Sequence, residues 1–328
     1  IMLKTGEGVP VNLNEASHYY KILADKGENL NAIFNYALLL DSGGENFEPN
    51  KKEASKYYKK AADKGHESAM FNYALMLKKG EGIKENKKEA ARYFKLLSDK
   101  GNREAMLIYA TMLDKGEGIQ VDKKNAARYF KMSADKGNEY AMLNYAIMLQ
   151  TGEGIKEDKK EAARYFKKAS DEGGNIDAMN IYANILEKGD GVQEDKKEAA
   201  KYYKLSADKG NVDSMFSYAL MVHHGEGIQE DKKEAAKYYK MAADKGNENA
   251  MNNYGIMLKN GDGIPVDKQK ATRYFKKAAD LGNDYAMFNY ASMLYTGQGV
   301  AVNKEEASYY YKMAAEKGNR DALKKINE

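Results

Sequence analysis

The sequence is poor in histidine and cysteine, the side chains that most often serve as zinc ligands or as catalytic bases and nucleophiles. The chain has no cysteine and four histidines, which are His18, His66, His223 and His224. The last two stand directly before Gly225, at the expected end of a helix, where positive charge is favoured. A zinc site needs three or four ligands, and the spacing supplies no third one. No nucleophile stands with a base and an orienting acid. We therefore predict surface histidines, no catalytic residue, no metal site and no cofactor.

Pairs of glycines separated by one residue occur eight times, as in Gly80-Glu81-Gly82 and Gly261-Asp262-Gly263. Such pairs could cradle a phosphate group. However, no predicted strand precedes them, and in both examples an acidic residue stands between the glycines. We interpret them as left-handed glycines that end a helix.

These turns belong to a unit that repeats along the chain. In the copy at 138–173 we predict a helix from Tyr140 to about Gln150, the glycine turn, a second helix from Lys159 to about Asp171, and a closing glycine. The closing glycines are spaced by 36 residues, with one interval of 37: Gly65, Gly101, Gly137, Gly173, Gly210, Gly246, Gly282 and Gly318. A fixed period of this size indicates an array of helical repeats that stack on their neighbours.

We expect residues 1–328 to form one continuous array. It would contain a partial repeat at 1–27, a short segment at 319–328 and eight complete repeats at 28–65, 66–101, 102–137, 138–173, 174–210, 211–246, 247–282 and 283–318. The repeat at 28–65 has a longer turn at 43–49, and the repeat at 174–210 has one extra residue near Gly174. Because both ends fall inside a repeat, we expect a segment of a longer protein.

The first helix of each repeat is amphipathic. In the copy at 138–173, Met142, Tyr145, Ala146 and Leu149 recur with helical spacing, which predicts a buried stripe. The tyrosine occurs in every complete repeat and is followed by alanine or glycine. A large residue beside a small one favours close helix packing, so we interpret this stripe as core.

The second helix begins with a predicted capping box, Asp158 with Glu161, in which the aspartate accepts a hydrogen bond and the glutamate reaches back to the helix start. The buried seam is predicted to consist of Ala162, either Tyr165 or Phe166, and Ala169. The lysines of this helix would form a solvated face: Lys159, Lys160, Lys167 and Lys168.

Together these residues resemble a known family. The pattern consists of Ala141, Tyr145-Ala146, Leu149, Gly152-x-Gly154-Ile155, Ala162, Tyr165-Phe166, Ala169-Ser170 and Gly173, and it resembles the Sel1-like repeat, a relative of the tetratricopeptide repeat. The family typically has Leu-Gly in place of Tyr145-Ala146 and tryptophan in place of Tyr165. The resemblance implies a right-handed superhelical α-solenoid of antiparallel helix pairs, whose first helices line the concave side. It also implies an adaptor that holds other proteins in complexes. Some cysteine-rich bacterial members bind or hydrolyse β-lactams, and the absence of cysteine here speaks against that branch.

A second stripe of the first helix could bind a partner. In the copy at 138–173 it consists of Tyr140, Leu143, Asn144, Ile147 and Gln150, which share one helix face. Across the repeats, two of its positions give our candidate binding residues: Phe34, Asn35, Phe71, Asn72, Leu107, Leu143, Asn144, Phe216, Asn253, Phe288 and Asn289. Aromatic rings would anchor a partner, and amides would pair with the backbone of an extended segment. Alternatively, part of this stripe packs against the adjacent repeat and the asparagines reflect composition.

Charge and hydropathy limit the classes of function that this chain could have. The 53 basic and 49 acidic residues give a net charge of +4 and are interleaved, which is typical of a solvated surface rather than a nucleic-acid site. No apolar run approaches the roughly 20 residues that cross a membrane, and the absence of cysteine favours the cytoplasm.

We predict a non-enzymatic scaffold that binds a protein or peptide in the groove. Two alternatives remain, a structural component of a large assembly that uses both faces, and a protein that binds or hydrolyses carbohydrate or cell-wall fragments.

Overall fold

The structure is a computed structural model that describes residues 12–44 and 48–327. These residues form eighteen α-helices and no β-strand. In chain order they are α1 (Leu13–Lys26), α2 (Leu30–Ser42), α3 (Lys51–Ala62), α4 (Glu67–Lys79), α5 (Lys87–Asp99), α6 (Arg103–Lys115), α7 (Lys123–Asp135), α8 (Glu139–Thr151), α9 (Lys159–Asp171), α10 (Ile176–Lys188), α11 (Lys196–Asp208), α12 (Val212–His224), α13 (Lys232–Asp244), α14 (Glu248–Asn260), α15 (Lys268–Asp280), α16 (Asp284–Thr296), α17 (Lys304–Glu316) and α18 (Arg320–Asn327). Of the segments discussed above, 1–11 of the partial repeat and 45–47 of the long turn lie outside the described residues.

The predicted helix pair is present in each complete repeat. In α8, the side chain of Asn138 accepts a hydrogen bond of 2.9 Å from the amide of Ala141, which satisfies one of the free donors at the helix start. The helix ends at Gly152, whose φ of 73° is left-handed and whose amide donates to the carbonyl of Met148 at 2.9 Å. The first glycine of the pair is left-handed at the helix end in all seven pairs within the described residues, which confirms its interpretation as a helix terminator there.

The start of the second helix differs from the predicted capping box in one respect. Asp158 accepts a hydrogen bond of 2.9 Å from the amide of Glu161, as expected. The amide of Asp158 donates to the carbonyl of Leu149 at 2.9 Å, because the turn brings the free end of α8 to this donor. Glu161 instead accepts a hydrogen bond from Arg164. The cap amide is thus satisfied by the neighbouring helix rather than by the glutamate.

The chain forms two compact units, 1–165 and 166–328, and their boundary falls within α9. In the first unit each helix from α1 to α8 packs against the next one in the chain. In the second unit the same holds from α10 to α18. Each unit is therefore a run of packed helix pairs, and the predicted all-α solenoid with a repeat of about 36 residues is confirmed.

The core of each repeat consists of alanines, methionines and aromatic rings. Met142, Ala146 and Leu149 of α8 are buried, as predicted, whereas Tyr145 is only half-buried. The ring of Tyr145 makes an edge-on contact with Tyr165, with ring centroids 4.9 Å apart. Aromatic pairs of this geometry contribute about 0.5–1.5 kcal/mol beyond their burial. The same pair occurs in every complete repeat: Tyr36–Tyr57, Tyr73–Tyr93, Tyr109–Tyr129, Tyr145–Tyr165, Tyr182–Tyr202, Tyr218–Tyr238, Tyr254–Tyr274 and Tyr290–Tyr310.

Candidate protein-binding surface

A tyrosine–aspartate hydrogen bond joins the second helix of each complete repeat to the second helix of the repeat before it. Tyr165 donates its hydroxyl hydrogen to Asp135 at 3.0 Å, and Asp135 also accepts a hydrogen bond of 2.7 Å from Lys131 on its own helix. The tyrosine of each complete repeat bonds in this way to an aspartate at the end of the second helix of the repeat before it. The pairs are Tyr57–Asp25, Tyr93–Asp63, Tyr129–Asp99, Tyr165–Asp135, Tyr202–Asp171, Tyr238–Asp208, Tyr274–Asp244 and Tyr310–Asp280. We call these contacts the Tyr–Asp ladder. The ladder fixes how successive helix pairs stack and hence where the first helices lie.

The electrostatics of the ladder follow from its hydrogen bonds. The hydrogen bond from Lys95, together with its charge and the hydrogen bond from Tyr129, lowers the pKa of the Asp99 carboxyl below its ordinary value, although burial acts in the opposite direction. Burial and the nearby aspartate raise the pKa of Tyr129. The aspartate is therefore ionised and the tyrosine protonated at neutral pH, which is the combination that makes the hydroxyl a donor and the carboxylate an acceptor.

The second glycine of the turn at 152–154 also serves the stacking of repeats. Gly154 lies against the start of α7, and a Cβ atom at this position would be only 2.5 Å from the carbonyl carbon and oxygen of Lys123. A Cβ at Gly152 would instead lie 3.5 Å from Glu157, an ordinary contact. Sequence analysis assigned both glycines to helix termination, but the second one is required by close backbone approach as well.

The lysines of the second helices are not all solvated. Lys159 and Lys160 are exposed, as predicted, but Lys167 and Lys168 are half-buried. The ammonium of Lys167 lies 3.2 Å from the hydroxyl of Tyr202 and 5.5 Å from the centroid of the Tyr182 ring. Burial disfavours the charge of Lys167, but its hydrogen bond to Tyr202 and the nearby acidic groups raise its pKa overall. The prediction of a uniformly solvated lysine face was wrong at this position, because the next repeat covers the end of the helix.

The second stripe of the first helices is the surface on which our candidate residues lie, and we call it the first-helix face. On α8 it carries Tyr140 and Ile147, whose exposed fractions are 56% and 39%, with half-buried Leu143 and Asn144 between them. On α16 the same face carries Tyr285 and Tyr295, at the positions of Tyr140 and Gln150, with exposed fractions of 62% and 43% on either side of half-buried Phe288. Sequence analysis missed Tyr285 and Tyr295, although their spacing from Phe288 on the helix would have revealed them.

The candidate phenylalanines are half-buried rather than fully exposed. Each packs against an aromatic ring of the second helix in its own repeat, with centroid distances of 6.0 Å for Phe34–Tyr58, 5.7 Å for Phe71–Phe94, 6.0 Å for Phe216–Tyr239 and 5.5 Å for Phe288–Tyr311. One part of each ring thus supports the repeat and another part remains accessible. Leu107 and Leu143, the aliphatic candidates at this position, are also half-buried.

Several candidate asparagines bond within the protein. Asn144 donates to the carbonyl of Tyr140 in its own helix at 2.7 Å. Asn289 donates to the side chain of Asn252 on the preceding first helix at 2.8 Å. Asn72 and Asn253 lie near the buried hydroxyls of Tyr58 and Tyr239, and within the described residues the hydroxyl of Tyr239 has no hydrogen-bond partner. Asn35 is half-buried. Asn289 therefore links two first helices, and Asn144 and Asn289 have only part of their hydrogen-bonding capacity left for a partner.

The histidines occupy several environments. His66 is half-buried at the N-cap of α4, where its Nδ1 accepts from the amide of Ala69 at 3.2 Å. His223 and His224 stack with ring centroids 4.9 Å apart at the end of α12. Burial, and then the charge of His224, lowers the pKa of His223. Within 12–44 and 48–327, no three His, Cys, Asp or Glu side chains lie close enough together to hold a metal ion.

The repeated helix pairs define a helical-repeat protein of the tetratricopeptide-like class. Nine segments match the Sel1 repeat, and the chain belongs to this family: residues 1–28, 30–66, 67–102, 103–138, 139–174, 176–211, 212–247, 249–283 and 284–319. Sel1 repeat proteins are generally protein-interaction scaffolds. The interpretation of residues 1–328 as one continuous array with the repeat bounds given above stays a prediction.

Solved structures similar to this chain include two Sel1-type repeat proteins. A protective antigen present in uropathogenic Escherichia coli strains, which displays an SLR fold, is 25% identical with a TM-score of 0.91 over 97% of this chain and 67% of its own. A Sel1 repeat protein from Oxalobacter formigenes is 23% identical with a TM-score of 0.70 over 94% of this chain and 89% of its own. No curated protein matches the chain. Every helix in the described part of the chain is too short or too polar to cross a membrane.

Proposed function

We propose that this chain is a non-enzymatic scaffold that binds a protein or peptide on its first-helix face. One observation carries the proposal, which is the cluster of accessible aromatic side chains on α16. Tyr285, Phe288 and Tyr295 share one face of this helix, and two of the three are exposed. Exposing an aromatic ring to water is unfavourable in free energy, and such rings supply much of the binding free energy at protein interfaces.

The first unit offers a comparable patch on α8. Tyr140 and Ile147 are exposed on either side of Leu143, so the patch is apolar along about two helical turns. Asn144 lies next to Leu143 and can still accept hydrogen bonds, since its contact within the helix uses its amide hydrogen. We propose that each patch receives an apolar side chain of the partner, while nearby amides contact its backbone.

The second-helix face is a weaker candidate for this role. Its exposed side chains are largely lysines and glutamates, many of which form ion pairs on the surface, such as Lys131–Asp135 and Lys240–Asp244. Exposed ion pairs contribute little free energy, typically about 0–1 kcal/mol. A structural component of a large assembly could use both faces, and the experiment below separates these two functions.

Site-specific photo-crosslinking in native cells tests the proposal. A photoreactive amino acid is placed at Tyr140 or Tyr285 on the first-helix face, and at Lys160 or Lys197 as exposed controls on second helices. We expect a defined protein adduct from the first two positions and none from the controls. Adducts of equal yield from both faces would favour the assembly component, and adducts from Lys160 and Lys197 alone would contradict the proposed surface.

A further inference from the structure

A glutamate near the start of the second helix bridges neighbouring repeats. Glu234 accepts hydrogen bonds of 3.1 Å from Lys204 of the preceding second helix and 3.1 Å from the hydroxyl of Tyr218 in its own repeat. Glu198 similarly lies 3.5 Å from Lys167. We call this residue the bridging glutamate. A glutamate stands at this position in seven copies: Glu15, Glu53, Glu89, Glu161, Glu198, Glu234 and Glu306. Among the described residues, Glu234 contacts both the lysine and the tyrosine, Glu198 contacts the lysine, and Glu306 contacts the tyrosine.

Two repeats lack the bridging glutamate. The equivalent residues are Asn125 in α7 and Lys270 in α15. The side-chain amide of Asn125 donates to the helix cap Asp122 at 2.7 Å, and Lys270 forms an ion pair of 3.0 Å with the cap Asp267. Both side chains are therefore held at the helix start. Neither supplies the carboxylate that would bond to the lysine and tyrosine of a complete bridge.

A cavity lies beside the lysine and the tyrosine of each of these two incomplete bridges. In the first unit, a cavity of about 490 Å³ is lined by Lys95 and Tyr109, which are the lysine and tyrosine that a bridging glutamate at 125 would join. In the second unit, a cavity of about 600 Å³ is lined by the equivalent Lys240 and Tyr254. Within the described part of the chain, the hydroxyls of Tyr109 and Tyr254 make no hydrogen bond with another residue, whereas Tyr218 and Tyr290 donate to Glu234 and Glu306. The hydroxyls of Tyr73, Tyr145 and Tyr182 are likewise without such a bond, although their repeats have the glutamate.

The first cavity is suited to an anion with an apolar stem. Its basic residues Lys88, Arg92 and Lys95 outnumber the single acid Glu89, and Ile119 supplies an apolar wall. The second cavity has three lysines against two acids, Asp231 and Glu234, so its excess of positive charge is smaller. Lys95 keeps its ion pair of 2.7 Å with Asp99, but an ammonium group has three donors and can take another acceptor.

We propose that the cavity at Lys95 and Tyr109 binds the carboxylate of a glutamate side chain from an acidic peptide segment. The incoming carboxylate occupies the place of the missing bridging glutamate and accepts hydrogen bonds from the Lys95 ammonium and the Tyr109 hydroxyl. Its methylene groups lie against Ile119. The cavity at Lys240 and Tyr254 binds the same group more weakly, because its lining has less net positive charge. This site lies on the second helices and is separate from the proposed first-helix face.

The volume favours a peptide side chain over a small free anion. A cavity of about 490 Å³ falls within the roughly 300–1,000 Å³ typical of ligand pockets, and a single inorganic anion would leave most of it filled with water. A free dicarboxylate such as glutarate offers the same chemistry without a peptide backbone. It is therefore the second arm of the test.

The test uses the full chain with the second cavity closed by Lys270→Glu. Binding of a fluorescent oligoglutamate peptide is measured by anisotropy, with an oligoglutamine peptide of equal length and with glutarate as competitors. The site variant is Asn125→Glu, which restores the bridging glutamate, and Asn125→Gln is the matched neutral control. Ring resonances of Tyr109, assigned with Tyr109→Phe, report by NMR whether the peptide reaches the cavity.

We expect oligoglutamate to bind and to shift the Tyr109 resonances. Its affinity should fall about tenfold or more in Asn125→Glu, which is the usual effect of losing a charged hydrogen bond, and should be unchanged in Asn125→Gln. Oligoglutamine should not compete, and raising the ionic strength from about 0.1 M to about 1 M should weaken binding. Three results would overturn the proposal: equal binding to Asn125→Glu, equal competition by oligoglutamine, or unshifted Tyr109 resonances. If glutarate competes as strongly as the peptide at an equal concentration of carboxylate groups, the cavity is instead a site for small dicarboxylates.

Discussion

At the residue scale, His66 stands where the other first helices have an N-cap asparagine. Its Nδ1 accepts the amide hydrogen of Ala69 at 3.2 Å, and its Nε2 lies 3.2 Å from the side-chain oxygen of Asn31. The ring also stacks on Phe34, with centroids 4.6 Å apart. This geometry requires the neutral ring with its proton on Nε2, because a protonated Nδ1 could not accept. Sequence analysis placed this histidine on the surface, since its role as a cap depends on the ring orientation.

His66 should make the stability of the protein depend on pH. Burial lowers the pKa of His66 from its ordinary value of 6.5. The folded state thus favours the neutral ring, and the stability that this ring contributes is fully present above pH 6.5 and is lost as the pH falls through the lowered pKa. We expect the variant His66→Asn to remove this dependence, with a difference of up to about 1 kcal/mol at acidic pH. Thermal melts of both proteins between neutral and acidic pH check this, and parallel curves would contradict the assignment.

Gly152 and Gly154 provide a paired test of the turn. Both have positive φ, so an alanine at either costs about 1–2 kcal/mol in backbone strain. At Gly154 the new methyl group would also meet the backbone of Lys123 at 2.5 Å. We expect Gly154→Ala to destabilise the protein by about 1–3 kcal/mol more than Gly152→Ala, because α7 and the turn must separate. Denaturant unfolding of the two variants measures the difference, and equal losses would mean that the repeats do not approach this closely.

At the element scale, the repeat pattern was sufficient to predict the helices. The predicted bounds of the pair in 138–173 lie within one residue of α8 and α9, because helical spacing, caps and glycine turns all indicate the same limits. The Tyr–Asp ladder could not be predicted in this way. Tyr165 and Asp135 are 30 residues apart, and only the stacking of two helices shows that they meet. The same holds for the internal bonding of the asparagines, as between Asn289 and Asn252.

The ladder should contribute measurably to stability. Tyr165→Phe removes the hydroxyl that bonds to Asp135 and keeps the edge-on packing against Tyr145. We expect a loss of about 0.5–1.5 kcal/mol, the usual net contribution of a hydrogen bond. Tyr140→Phe is the matched control, since Tyr140 is 56% exposed on the same unit. Comparable melting temperatures for the two variants would show that the ladder does not stabilise the stacking.

At the scale of the whole molecule, the two layers of each repeat have different roles in our account. The second helices and turns hold the repeats together through the Tyr–Asp ladder and the close approach at Gly154. The first helices leave apolar side chains accessible, such as Tyr140 on one unit and Tyr285 on the other. Repetition makes the supporting residues predictable, because they recur in each copy. The binding residues vary between copies, so the sequence predicts their positions but not their partner.

The affinity of the partner identified by crosslinking, measured for matched variants, tests the proposed surface most directly. Tyr285→Ala removes an exposed ring from the first-helix face, and Lys197→Ala removes an exposed side chain from a second helix of the same unit. We expect Tyr285→Ala to weaken binding by about 2 kcal/mol, which is about thirtyfold, without lowering the melting temperature. Lys197→Ala should leave the affinity unchanged. Unchanged binding by Tyr285→Ala together with a clear loss for Lys197→Ala would contradict a binding surface on the first helices.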